Sequence, residues 1–135
     1  MHEIPLNWAA ILVAAVVRTV IGFLWHAPFA FGPAFMRLTG CGEAEMKARL
    51  PAAVLSDLIG SLIMSFILVH AVYYAGARTA PTGVAVGLFN WLGFVAVTHF
   101  GLVAFEKRPF KLFAINTGCQ AVALAVMGAI LATWH

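Results

Sequence analysis

At 135 residues, 63% hydrophobic and only 10% charged, with a mean hydropathy of +0.97, the chain falls outside the range of soluble globular domains, in which about a quarter of residues are charged. The formal net charge of +3 comes from loop residues and forms no basic stripe with interleaved aromatics, which excludes nucleic acid as a partner. The expected solvent is the lipid bilayer, and the expected fold is all-α: four transmembrane helices in an up-down bundle, forming a single domain over 1–135.

The first apolar run, about Leu6 to Trp25, follows Met1-His2-Glu3 with no basic n-region and carries Arg18 in its interior, so it reads as a permanent span and not as a secretory signal. A charge at membrane depth is costly and normally faces a partner or a water-filled cavity, which makes Arg18 the residue the other spans must answer. Next comes the longest connection, about Ala27 to Leu50, opening with the aromatic and proline-rich stretch Pro28 to Met36, suited to the headgroup boundary. Glu43 and Lys47, four apart, predict a short polar helix ending near Pro51.

The second span, about 52–75, carries Ser56, Asp57, Ser61, Ser65 and, near its far end, His70. A short turn from Gly76 to Pro81 leads to the third, about 82–105, with Gly83, Gly87, Asn90, Gly93, His99 and Gly101. The Glu106-Lys107-Arg108-Pro109 break precedes the last span, about 112–134, with Asn116, Gly118, Cys119, Gln120 and Gly128. Cys41, in the first connection, and Cys119, inside a span, read as unpaired thiols.

Basic residues fix the expected orientation. Arg37, Lys47, Arg49, Lys107, Arg108 and Lys111 lie on the side of the first and third connections, and only Arg78 on the other. The positive-inside bias then places both termini outside a bacterial cytoplasmic membrane.

Depth follows from a rise of about 1.5 Å per residue. Arg18, Asp57 and His99 each fall roughly 10 Å in from the basic side, and Asn116 and Gln120 roughly 7 and 13 Å. A buried polar layer of Arg18, Asp57, His99, Asn116 and Gln120 is predicted, with an Arg18–Asp57 ion pair because arginine cannot shed its proton. The pair serves either helix packing or, with His99 titrating, a proton or ion path. An anionic ligand at Arg18 is the minority reading.

No cofactor is expected: His70 and His99 differ too much in depth to share a haem. No metal site is assigned, although His2, His70 and His135 all fall near the outer face. Small residues at Ala114, Gly118, Ala121, Ala125, Gly128 and Ala132 suggest one continuous face on the last span, and Gly83 with Gly87 a GxxxG pair on the third. Such faces serve homo-oligomerisation or packing within the chain.

Asn7-Trp8, Gly22-Phe23-Leu24-Trp25-His26-Ala27-Pro28, Phe31-Gly32, Phe35-Met36, Lys111-Leu112-Phe113 and the stretch Gly128 to Trp134 together resemble the small bacterial membrane family known as domain of unknown function 1761. The resemblance covers nearly the whole chain. It implies a four-helix membrane fold and brings no established activity, cofactor or site residue. That family often has tyrosine where this chain has His26, so His26 is not read as a family ligand.

Two functions are expected to compete: a small oligomeric transporter or channel using the polar layer on an ion or solute, and a non-catalytic structural or accessory membrane subunit whose layer only fixes packing. A water-filled cavity reaching His99 favours the first, a dry and fully paired layer the second. An enzyme is not expected, because no HExxH, nucleophile elbow or carboxylate pair occurs and Asp57 is the single acid within the spans.

Overall fold

A computed structural model describes residues 6–26, 30–40, 42–106 and 109–134, the side chains of Glu43 and Met46 excepted. Five helices follow in order: α1 (Trp8–Trp25), α2 (Gly32–Thr39), α3 (Glu43–Tyr74), α4 (Ala80–Glu106) and α5 (Phe110–Thr133). All but α2 are long and apolar enough to cross a bilayer, and they run alternately up and down. The connections after α1 and α4 lie at one end, called here the basic end; residues 6–7, the α3–α4 turn and Trp134 lie at the other, the terminal end.

Local chemistry sets the helix limits. The Asn7 side chain accepts from the Ala10 N–H at 3.3 Å, capping α1. At the start of α4, Thr79 and Thr82 form a reciprocal capping box followed by a proline in the first turn. Gly40 and Gly76, at φ +74° and +71°, take the left-handed conformation that ends α2 and turns α3 toward α4.

One expectation about the helices needs correction. Pro51 does not end a short polar helix: α3 is continuous for 32 residues with Pro51 inside it. Proline can donate no bond to the carbonyl of residue 47, but at this exposed, water-side position the loss is tolerated and the polar turns extend the span. The expected pairing of Glu43 with Lys47 lies outside the described side chains. Within α4, residues Trp91–Ala96 form a π-helical stretch, so the third span is not a uniform α-helix.

At the centre is α5, packed against α1, α3 and α4. Toward the terminal end, Ala10, Ile11 and Ala14 of α1, Leu68 and Val72 of α3, and Leu124, Met127 and Leu131 of α5 close into a dry core. Outside it, Leu12, Val16, Leu55, Ile59, Ile63, Ile67, Phe89 and Phe94 are all exposed. An apolar perimeter of that extent suits lipid and not water. Trp8, Tyr73, Tyr74 and Trp134 ring the terminal end as an interfacial belt.

The small residues act within the chain. A Cβ on Gly83, Gly87 or Gly128 would overlap the facing backbone carbonyl of Gly128, Leu124 or Gly83, so the α4 and α5 main chains are in direct contact. The stripe on α5 is not one face for one partner. Gly128 and Ala132 meet α4, whereas a Cβ on Gly118 would lie 3.4 Å from the Trp25 ring of α1. Ala114 is exposed, and Ala121 and Ala125 are half-buried.

Candidate functional site: a cavity floored by an arginine–aspartate pair

On α3, Asp57, Ser61 and Ser65 recur every four residues, so they form one polar stripe facing α1. Its terminal member, Ser65, donates to the Ile11 carbonyl at 2.8 Å and is fully buried. The other two receive Arg18: Nη1 donates to Asp57 Oδ1 at 3.1 Å and to Ser61 Oγ at 2.7 Å. From α5, Gln120 Oε1 accepts from Arg18 Nη2 at 3.0 Å. Thr19 completes the group, with Oγ1 3.2 Å from Ser61 Oγ. Three helices thus converge on one guanidinium, whose rigid fork of donors suits such convergence.

The pair is asymmetric. The Arg18 side chain is 10% exposed and Asp57 40%. Arg18 Nε is buried and has no hydrogen-bond partner among the described residues. Among the described residues Asp57 takes one bond, through Oδ1, which leaves most of its acceptor capacity unused there.

Beside the pair lies a cavity of about 380 Å³, reaching from Arg18, Thr19, Asp57 and Gln120 to His26 and Leu50 at the basic end. Phe23, Ala53, Val54 and Ala123 supply apolar walls, and Cys119 lines it as a free, buried thiol. Gly22 keeps the α1 wall open, since a Cβ there would meet nothing within 4 Å. His26 Nδ1 lies 2.9 Å from the Gly22 carbonyl. A carbonyl can only accept, so Nδ1 is the donor and Nε2 is the nitrogen outside this bond.

His99 and Asn116 do not join this group. They line a separate cavity of about 40 Å³ with Leu102, Val103, Leu112 and Phe113, and His99 Nδ1 donates to the Val95 carbonyl at 2.8 Å in its own helix. Matching depth was insufficient because α4 packs principally on α5, which stands between His99 and the helix of Arg18. The larger cavity accordingly reaches Arg18 and Asp57 but not His99. His70 donates Nδ1 to the Phe66 carbonyl at 2.7 Å, while His2, Cys41 and His135 lie outside the described residues.

Two indoles secure α5 beside the site. Trp25 Nε1 donates to the Ile115 carbonyl at 2.9 Å and Trp91 Nε1 to the Thr117 carbonyl at 2.8 Å. These clamps, and the roles of Thr19 and Ser61, escape a search for charged residues. The four-residue spacing from Asp57 through Ser61 to Ser65 was the available signal.

Neither a curated protein nor a solved structure matches the chain. Over residues 9–132 it matches the family described as "Protein of unknown function (DUF1761)", and the chain belongs to that family.

Proposed function

We propose that the protein is a small solute transporter of a bacterial cytoplasmic membrane, working as a homo-oligomer, with its basic end in the cytoplasm and both termini outside. The observation carrying this reading is the cavity whose lining extends from His26 and Leu50, toward the basic end, to Arg18, Asp57 and Gln120. Apolar walls around a few convergent polar groups are the usual makeup of a small-molecule site. The six basic residues on that side support the orientation. Because the terminal half is packed dry, a fixed pore through one bundle is disfavoured. Transport then requires a second state in which the site opens the other way, and a second copy would supply the surface against which the helices move. The exposed outer side of α4, with Phe89, Leu92 and Phe94, is available for it.

The rival reading, an accessory membrane subunit, is favoured by that same closed half and by a pair that neutralises itself. Proteoliposome uptake of a radiolabelled panel of small amines, amino acids, carboxylic acids and inorganic ions separates the two. The transporter reading expects at least one compound to enter about tenfold faster than into protein-free liposomes, and Gly22→Leu, which fills the cavity, to remove that excess. Uptake no faster than the liposome background across the panel would favour the accessory role.

A further inference from the structure

We infer that the solute held in the Arg18–Asp57 cavity is an organic cation, an apolar body carrying one ammonium group. The inference rests on the solute-binding reading above and adds the chemical class.

Of the two charges at the cavity floor, the carboxylate is the one a solute meets. Asp57 is 40% exposed against 10% for Arg18. Arg18 spends both Nη1 hydrogens on Asp57 and Ser61 and one Nη2 hydrogen on Gln120. Three of its five N–H donors are thus committed; the Nε–H, without a partner among the described residues, is buried, and one Nη2–H remains beside the Gln120 bond on a side chain only 10% exposed. Asp57 Oδ2 has no hydrogen-bond partner among the described residues. The pair is therefore a dipole with its negative end toward the cavity. Coulomb energy falls inversely with distance, so an ammonium group at Oδ2 is attracted by the nearer carboxylate more than it is repelled by the guanidinium behind it. An anion faces the opposite balance.

The rest of the lining agrees. His26, with Nδ1 committed to the Gly22 carbonyl, keeps an acceptor at Nε2 when neutral. Phe23 lines the route and is 51% exposed, an aromatic face of the kind that attracts cations. Leu50, Val54 and Ala123 offer only carbon to the remainder of the ligand. About 380 Å³ falls within the range of pockets that take drug-sized molecules. Asp57 thus has two tasks: it compensates Arg18 through Oδ1 and holds the solute's ammonium through Oδ2.

Calorimetric titration of the protein in zwitterionic-lipid nanodiscs with phenylbutylammonium, phenylbutanol and phenylbutyrate tests this, since the three differ chiefly in charge. Saturable binding of the ammonium about tenfold tighter than either of the others is expected, and Gly22→Leu should abolish it. Asp57→Asn should weaken the ammonium by about tenfold while leaving the alcohol unchanged. If that variant fails to assemble, the charge preference of the parent decides alone. Equal binding of all three, or preference for the carboxylate, overturns the cation inference and leaves a solute pocket standing. No saturable binding of any probe, or binding indifferent to Gly22→Leu, overturns both.

Discussion

Asp57→Leu is expected to cost far more stability than the same change made together with Arg18→Met. Removing one partner of a buried ion pair strands the other and typically costs about 3–5 kcal/mol, whereas replacing both with apolar groups is often close to neutral. Here the stranded group would be a guanidinium that is 10% exposed, left with only the neutral partners Ser61 and Gln120. Asp57 is 40% exposed, which reduces the effect, so about 2–3 kcal/mol is expected for Asp57→Leu. Arg18→Met alone should cost less, about 1–2 kcal/mol, because the carboxylate it strands is already partly solvated and the main loss is three hydrogen bonds. The double variant should lie within about 1 kcal/mol of the parent. Reversible unfolding in mixed micelles by added dodecyl sulfate reads all three. A Asp57→Leu protein as stable as the parent would mean that the pair does not set the packing of α1 against α3.

The second large effect belongs to the glycine contact of α4 with α5. At Gly87 an added Cβ would overlap the Leu124 carbonyl and lie 3.2 Å from the Ala125 nitrogen, and at Gly83 it would lie 2.7 Å from the Ala132 Cβ. Backbone atoms cannot swing aside as a flexible side chain can, so the two helices must separate along their contact. Gly87→Ala is expected to cost about 3 kcal/mol, the upper end of ordinary overpacking, and Gly87→Leu to prevent the two helices from docking. Gly60 and Gly101 are the controls, since a Cβ at either meets nothing within 4 Å. Alanine there should leave stability unchanged or raise it by about 0.5–1 kcal/mol through helix propensity. The same unfolding measurement applies. Equal behaviour of Gly87→Ala and Gly101→Ala would contradict the close approach of the two backbones.

The fold was readable because lipid imposes a one-dimensional rule: each backbone must satisfy its own hydrogen bonds, so every long apolar run becomes a spanning helix. Counting residues along such helices gives depth, and depth alone brought Arg18 opposite Asp57 and Gln120. Depth does not give the direction a residue faces. His99 and Asn116, counted to a similar depth, line a separate cavity away from Arg18 for that reason. Pro51 misled because a proline breaks a helix only where the lost bond cannot be tolerated, and on α3 it sits where water begins. The π-helical stretch at Trp91–Ala96 carries no proline to mark it in the sequence. The cavity too depended on arrangement: Gly22 is unremarkable in a row of apolar residues until α3 and α5 are set opposite it.

The central claim is that a solvent-reached cavity opens at the basic end and is sealed at the other by the dry core. Single cysteines placed in a Cys41→Ser, Cys119→Ser background, and treated with a membrane-impermeant thiol reagent in inside-out and right-side-out vesicles, test it directly. Val54→Cys, on the cavity wall, should react in inside-out vesicles only, and Val72→Cys, in the core, should react in neither. Reaction of Val54→Cys in right-side-out vesicles, or its silence in both, would contradict the account.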